Sequence, residues 1–102
     1  MTTSDERLKN ITNEFNDGLS IVNEIKPLRY EYKDDENKKE HIGIIAQELE
    51  KVLPEAVREK KLALHDGKEY KTVEYDAIHG LLINCIKELK EEIKELKNAF
   101  TK

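Results

Sequence analysis

The chain has 102 residues, of which 37% are hydrophobic and 39% are charged, and its net charge is -4 at pH 7. This length allows one small domain with a small hydrophobic core. Such domains leave a large share of their surface exposed and are often stabilised by association with other chains. Charges of both signs are interleaved, without the basic tract that binds nucleic acid. No apolar run approaches the ~18 residues of a membrane span, and the polar residues 1–10 are unlike a signal peptide. We therefore predict neither nucleic-acid nor membrane partners.

The cysteine and histidine residues show no pattern of a metal centre or a reactive thiol. Cys85 lies within the apolar run 81–86, so we expect it to be buried as a small hydrophobic residue. His41, His65 and His79 are scattered, with no pair at a spacing of four and no companion carboxylate at ligand spacing. We therefore predict no metal and no cofactor.

The first third of the chain begins polar and then becomes helical in pattern. Ser4 and Asp5 are residues that cap a short helical turn. Apolar residues then recur at steps of three and four and predict an amphipathic helix over about 17–25. Pro27 ends this helix, because its ring removes an N–H and disfavours helix in the preceding residue.

The middle of the chain predicts two strands and a short helix. Residues 28–33 alternate with a period of two, which is typical of a strand. The charged run 34–40 predicts a loop, and the apolar residues 42–45 predict a second strand. Residues 46–52 have the pattern of a short helix that ends near a proline.

A second hairpin is predicted after this helix. Residues 56–60 and 61–64 read as extended chain, and 69–73 as the returning strand. Between them lies a turn over 65–68 that contains Asp-Gly, a strong local signal for a tight hairpin.

The last segment, residues 76–100, has no proline and one glycine. Its apolar residues recur with alternating steps of four and three, which is the seam of a coiled coil. These seam residues are Leu82, Ile86, Leu89, Ile93, Leu96 and Phe100. The alternative, an ordinary core helix, would need a wider stripe and a less charged end. We predict an α+β fold, in which short helices and β-hairpins precede a long C-terminal helix that forms a coiled coil between copies.

Several stretches occur in the order found in a known family. They are Ser4-Asp5-Glu6-Arg7-Leu8-Lys9, Gly18-Leu19, Ile25-Lys26-Pro27-Leu28-Arg29-Tyr30, His41-Ile42-Gly43-Ile44-Ile45-Ala46-Gln47-Glu48-Leu49, Val73-Glu74-Tyr75 and the helical end from Leu81 to Leu89. From Ser4 to about Phe100 the chain resembles the intramolecular chaperone auto-processing domain of phage endosialidase tailspikes. The same module occurs in other tail fibres and in the membrane-tethered myelin regulatory factor.

The resemblance implies a homotrimer that lies C-terminal to a fibrous passenger, helps three chains find their register and then cuts itself off. The local heptad rule, with isoleucine at one seam position and leucine at the other, favours two parallel strands instead. The implied regions are a passenger remnant at 1–3, the chaperone region at 4–75 and the trimeric coiled coil at 76–102. The implied location is the cytoplasm of the cell that assembles the virion, and the module is absent from the mature fibre.

The resemblance also implies a catalytic pair. The family's serine nucleophile and its lysine, five residues on, correspond to Ser4 and Lys9, so the scissile bond is Thr3–Ser4. A serine hydroxyl needs a base to take its proton, and a neutral amine can do this. A lysine in water is almost wholly protonated at neutral pH, so burial or a neighbouring cation must favour its neutral form. This describes a serine endopeptidase that acts once, on its own chain.

Two other functions fit the same sequence. A registration module would trimerise its passenger without cleavage, and an adaptor would pair its last helix with a different protein. Release of a passenger separates the first alternative from self-cleavage, and a homotrimer in solution counts against the second.

Overall fold

The computed structural model describes residues 2–62 and 66–101 of the chain. Short elements fill the first three quarters, and one long helix forms the rest. A 3-10 turn at Glu6–Leu8 precedes helix α1, and a second 3-10 turn at Pro54–Ala56 precedes strand β3. In chain order the helices and strands are α1 Leu19–Val22, β1 Leu28–Tyr30, β2 His41–Gly43, α2 Ala46–Glu50, β3 Val57–Lys61, β4 Glu69–Val73 and α3 Tyr75–Phe100.

The four strands form two separate antiparallel hairpins. In the first, Leu28 lies opposite Gly43 and Tyr30 opposite His41. In the second, Val57 lies opposite Val73 and the register continues to the pair Lys61 and Glu69. The predicted α+β class is therefore confirmed, with two small two-stranded sheets and a long C-terminal helix.

The turn of the second hairpin has the backbone that its sequence predicts. Asp66 and Gly67 have φ values of 99° and 75°, a region in which a residue without a Cβ is least strained. The backbone N–H of Lys68 donates to Asp66 Oδ1 at 3.0 Å, as in an Asx turn. His65 and the predicted strand residues 63–64 lie outside the described residues.

The predicted helix over 17–25 is too long. Helix α1 covers only Leu19–Val22, and residues 9–18 before it have no regular secondary structure. The carbonyl oxygens of Phe15 and Asp17 accept hydrogen bonds from the side chain of Asn84 on α3, instead of from amides further along their own segment. These long-range bonds compete with helix formation, and a periodic sequence pattern cannot report them.

The strand and helix ends in the middle of the chain differ by a few residues from the prediction. Strand β1 ends at Tyr30, before the charged loop, and β2 begins one residue earlier than predicted, at His41. Helix α2 ends at Glu50, two residues before the predicted end. The order and type of these elements agree with the prediction.

The hydrophobic core lies where α2, the 3-10 turn Pro54–Ala56 and the first half of α3 meet. Cys85 is 5% exposed and belongs to this core, so its predicted packing role is confirmed. Burial, assisted by the negative charge of Glu88, raises the pKa of its thiol. The buried residues are Ala46, Leu49, Leu53, Ala56, Val57, Ile78, Leu81 and Cys85.

Helix α3 is packed at its beginning and exposed at its end. Its buried residues are Ile78, Leu81 and Cys85, all in the first half. The helix gives the chain a long axis of 63 Å, against 37 and 26 Å for the other two. Among the described residues, no helix has the length and apolarity needed to cross a membrane.

Candidate functional site

The first folded feature of the chain is a single 3-10 turn at Glu6–Leu8, capped by Asp5. The backbone N–H of Arg7 donates to Asp5 Oδ1 at 2.9 Å, which satisfies an amide that the short helix leaves free. The N–H groups of Leu8 and Lys9 donate to the carbonyl oxygens of Asp5 and Glu6, each at 3.1 Å. The turn therefore reverses the chain between Ser4 and Lys9.

An ion pair between Arg7 and Asp5 also stabilises this turn. Arg7 Nη2 donates to Asp5 Oδ2 at 2.8 Å, and Arg7 Nε donates to both carboxylate oxygens. The hydrogen bonds from Arg7 lower the pKa of the Asp5 carboxyl, and the same contact raises the pKa of the Arg7 guanidinium. Neither residue touches the hydroxyl of Ser4, so their part is to fix the shape of the turn.

The turn brings together the two side chains that the resemblance implies as catalytic. Lys9 Nζ donates to Ser4 Oγ at 2.5 Å across five residues of sequence. Both residues are exposed. An amine in contact with a hydroxyl is the arrangement from which a neutral lysine can remove the serine proton.

The segment that carries this turn, residues 4–14, lies apart from the core. Within the described part of the chain, its hydrogen bonds join residues of the same stretch. Its two large apolar side chains, Leu8 and Ile11, are 76% and 83% exposed. We call residues 4–14 the arm. Such exposure of large apolar groups is typical of a surface that another chain covers.

The arm is joined to the body by two residues that the sequence did not single out. Asn84 Nδ2 donates to the carbonyl oxygens of Phe15 at 2.7 Å and of Asp17 at 2.9 Å. Glu88 Oε2 accepts from the backbone N–H of Leu19 at 3.1 Å. Both contacts span almost seventy positions, and no local pattern distinguishes these two side chains from the other polar residues of α3.

The seam residues of α3 are exposed in the single chain. Leu82, the least exposed, is at 44%, and Phe100, the most exposed, is at 82%. They lie on a different side of the helix from Leu81 and Cys85, which pack on the core. Ile83, which the heptad pattern leaves out, is also 55% exposed and widens the stripe near its beginning.

His41, His79 and the tyrosines lie away from the arm's turn. His79 is exposed, with Nδ1 at 3.7 Å from Asp76 Oδ1. The His41 ring stacks on Tyr30, with ring centroids 5.4 Å apart. A hydrogen bond with Tyr32 raises the pKa of Tyr30 to about 12, so this phenol is neutral at physiological pH. No group of three or more histidine, cysteine, aspartate or glutamate side chains within residues 2–62 and 66–101 is placed to hold a metal ion.

An open groove of about 700 Å³ lies between the two hairpins and the beginning of α3. It is lined by all four tyrosines of the sequence, with Ile44, Ile45 and Val73 beside them. Neither Ser4 nor Lys9 lines the groove. The groove therefore offers apolar surface and phenol hydroxyls, whereas the contact between Lys9 and Ser4 lies in the arm.

Comparison with known proteins gives a family and several relatives. The family described as chaperone of endosialidase matches residues 4–58, more than half of the chain, and the match begins at Ser4. Proteins named long tail fiber protein Gp37 are similar over 95% of the chain from Enterobacteria phage Ox2, with 43% identity, and over 97% from phage M1, with 44%. A protein of that name from phage K3 is 36% identical over 95% of the chain.

The chain spans only part of these relatives. It covers 39% of the length of the Ox2 protein, 41% of the M1 protein and 8% of the K3 protein. The family match covers the arm, both strands of the first hairpin, α2 and the residues up to the beginning of β3. On this match, the chain belongs to the chaperone of endosialidase family.

Proposed function

We propose that this chain is the intramolecular chaperone of a fibrous passenger, that it joins three copies of that passenger and that it then releases itself by cutting the Thr3–Ser4 bond. Family membership and the similarity to long tail fibre proteins support a chaperone that works with a fibre. The observation that carries the cleavage step is the hydrogen bond between Lys9 Nζ and Ser4 Oγ, at the residue where the family match begins.

The proposed reaction proceeds in two steps on the chain's own backbone. Lys9, in its neutral form, takes the proton of Ser4 Oγ, and the oxygen attacks the carbonyl carbon of Thr3. The peptide C–N bond breaks, Lys9 returns the proton to the leaving amine of Ser4, and an ester links Thr3 to Ser4 Oγ. Water then hydrolyses the ester, which leaves a carboxylate on Thr3 and restores the hydroxyl of Ser4.

In this proposal, assembly excludes the water that surrounds the exposed turn in a single chain. The contact between Ser4 and Lys9 is present in one chain, so assembly is not needed to bring the two side chains together. Both are exposed, so solvent surrounds the scissile bond in a single chain. A neighbouring copy that covers the arm removes this water and favours the neutral amine. Cleavage then follows assembly and marks a correctly joined trimer.

The exposed seam of α3 supports the association of copies. A fully buried leucine, isoleucine or phenylalanine side chain stabilises by about 1.5–3 kcal/mol. The six seam side chains, which are five leucines or isoleucines and Phe100, are at least 44% exposed in one chain. The core of the single chain is small, so this additional burial is a large share of the stability that the domain can gain. We assign the trimer from the family resemblance and the coiled coil from the seam.

A second function, registration without cleavage, draws on the same seam. Association through α3 needs neither Ser4 nor Lys9, and the arm contributes nothing to the core of one chain. In this case the module would stay attached to the assembled fibre. The site of assembly, in both cases, is the cytoplasm of the cell that produces the virion.

A denaturing gel separates the two functions. The chain is joined behind a trimeric fibre segment and compared with the Ser4→Ala variant, which lacks only the hydroxyl. Self-cleavage predicts a released fragment of the size of this domain in the first protein and none in the second. A trimer that stays uncut in both proteins would leave registration as the function.

A further inference from the structure

Helix α3 has three faces, and the third has no part in the core or in the seam. The core face carries Leu81 and Cys85, and the seam lies to one side of it. Asn84 and Glu88, one turn apart, lie on the other side. Both are partly buried by the segment that links the arm to α1. We call Asn84, Glu88 and the backbone that they bind the clasp.

The two side chains of the clasp bind backbone groups only, so they fix the position of the main chain and not of a particular side chain. The amide nitrogen of Asn84 donates to two carbonyl oxygens, of Phe15 at 2.7 Å and of Asp17 at 2.9 Å. Glu88 Oε2 accepts the N–H of Leu19 at 3.1 Å, which is the first amide of α1. Gly18, the N-cap residue, has no side chain to do this, so α3 supplies the cap from a distance.

Gly18 allows the close approach of this segment to α3, and the ring of Phe15 adds a second contact. A Cβ on Gly18 would lie 1.8 Å from Glu88 Oε1, so the carboxylate occupies the space of the missing side chain. Gly18 is buried. On the helix, the ring of Phe15 lies over Gly80, with its Cδ2 atom 3.7 Å from the position of a Cβ there. The segment therefore contacts α3 at Gly80 as well as at Glu88.

We infer that Asn84 and Glu88 are positioning residues for self-cleavage, because they fix the point at which the arm with Ser4 and Lys9 leaves the helix that joins the copies. This inference rests on the proposed self-cleavage. Within the described residues, the arm's hydrogen bonds join residues of the arm to one another. The clasp is therefore the nearest place to the turn at which hydrogen bonds attach the chain to α3. Neither residue touches the reacting atoms.

The lengths of chain involved give the size of the effect. Phe15 follows Lys9 by six positions, which allows a reach of at most ~20 Å at 3.3–3.6 Å per residue. If Phe15 loses its hydrogen bond to Asn84 and its ring leaves Gly80, the next attachment is Leu19, which packs against the core, and the reach grows to ~35 Å. This longer reach lowers the effective concentration of the arm's turn at any one place on the assembled copies. The fall is about twofold if it follows the statistics of a flexible chain, and about fivefold if it follows the volume that the turn can reach.

The test uses the chain joined behind a trimeric fibre segment and measures the rate of cleavage. Asn84→Asp keeps the size of the side chain but loses both donors, and Glu88→Ala loses the acceptor. We expect Asn84→Asp, which frees Phe15 and Asp17, to cut two- to fivefold more slowly than the parent. We expect Glu88→Ala, which leaves those two bonds in place, to cut more slowly by a smaller factor, and both variants to keep the trimer by light scattering. Glu91→Ala, at an exposed position three residues beyond Glu88 on α3, is the matched control and should cut at the parent rate.

Two further variants separate positioning from a general loss of stability. Glu88→Gln keeps an oxygen that can accept from Leu19, so its cleavage rate should stay close to that of the parent. Gly18→Ala and Glu88→Ala break the same contact, so the double variant should be no slower than the slower single one.

The outcomes distinguish the inference from the function on which it rests. An uncut parent protein overturns self-cleavage and with it the positioning role. A parent that cuts while Asn84→Asp and Glu88→Ala cut equally fast overturns the positioning role alone. Slower cleavage accompanied by loss of the trimer also contradicts it, because the clasp would then act through assembly.

Discussion

At the scale of single residues, the arm's turn depends on side chains that are each bound by a neighbour. Asp5 caps the turn and pairs with Arg7, and Lys9 reaches back to Ser4. Protonation of Asp5 at low pH would remove the pair. Because the pKa of Asp5 is lowered in the folded chain, this contribution is present at neutral pH and is lost as the pH falls through the folded pKa. The turn is therefore intact under physiological conditions.

The role of Lys9 is tested by Lys9→Arg. Arginine retains the positive charge and can donate to Ser4 Oγ, but it does not give up its proton in proteins. We expect the turn and the trimer to persist and the cleavage rate to fall by at least ~100-fold, the lower range for loss of a general base. The measurement is the amount of released fragment with time on a gel. Cleavage at the parent rate would rule out Lys9 as the base.

Ser4 and Lys9 were predicted as a catalytic pair from the resemblance to a family, and not from the chemistry of the two residues. A serine and a lysine five residues apart are common, and nothing in their spacing alone predicts contact between them. The clasp residues Asn84 and Glu88 were not predictable, since their partners lie 67 to 69 positions away. Cys85 was predictable, because an apolar run with a cysteine inside it identifies a buried face.

At the scale of elements, agreement was best where the local signal was strong. Helix α3 begins one residue before the predicted segment and ends with it, because its apolar period is sustained and proline is absent. The second hairpin was predictable from its Asp-Gly turn. The length of helix α1 was overestimated, because Phe15 has the correct spacing for a helix but packs over Gly80 from a segment without regular secondary structure.

Two glycines in different elements should respond in opposite directions to a methyl group. Gly80→Ala replaces a poor helix residue where the new Cβ meets only the Phe15 ring at 3.7 Å, so we expect a gain of about 0.5–1 kcal/mol in unfolding free energy. Gly67→Ala forces a Cβ onto a φ of 75°, so we expect a loss of about 1–2 kcal/mol.

Urea unfolding of each glycine variant measures these changes as shifts of the midpoint at constant slope. The two variants serve as controls for one another, since each adds the same atoms. A shift in the same direction for both would contradict the assignment of one of the two backbones.

At the scale of the whole molecule, two of the apolar surfaces that the described residues leave uncovered bear on assembly. The seam of α3 extends beyond the core, and Leu8 and Ile11 lie on the arm. The clasp connects the two, because it joins the arm to the same helix that carries the seam. In the proposed trimer, assembly through the seam would bring three arms to one helical bundle, where copies can cover them.

Assembly through the seam is tested by Ile93→Ala. Ile93 is 53% exposed in one chain. If it is buried between copies, its loss costs at least ~2 kcal/mol per chain, which is roughly 6 kcal/mol for a trimer. Sedimentation equilibrium over a range of concentrations should show a trimer for the parent and for Glu91→Ala, and dissociation for Ile93→Ala. A dimer in the parent would support the local heptad rule, and a monomer would contradict association.

The most direct test of the account is the mass and N-terminal sequence of the fragment released when the chain is expressed behind a trimeric fibre segment. Self-cleavage by Ser4 and Lys9 predicts one fragment that begins with a free amine on Ser4 and an unmodified hydroxyl. A fragment that begins at another residue, or a passenger that stays joined through the Thr3–Ser4 bond in the assembled trimer, would contradict it.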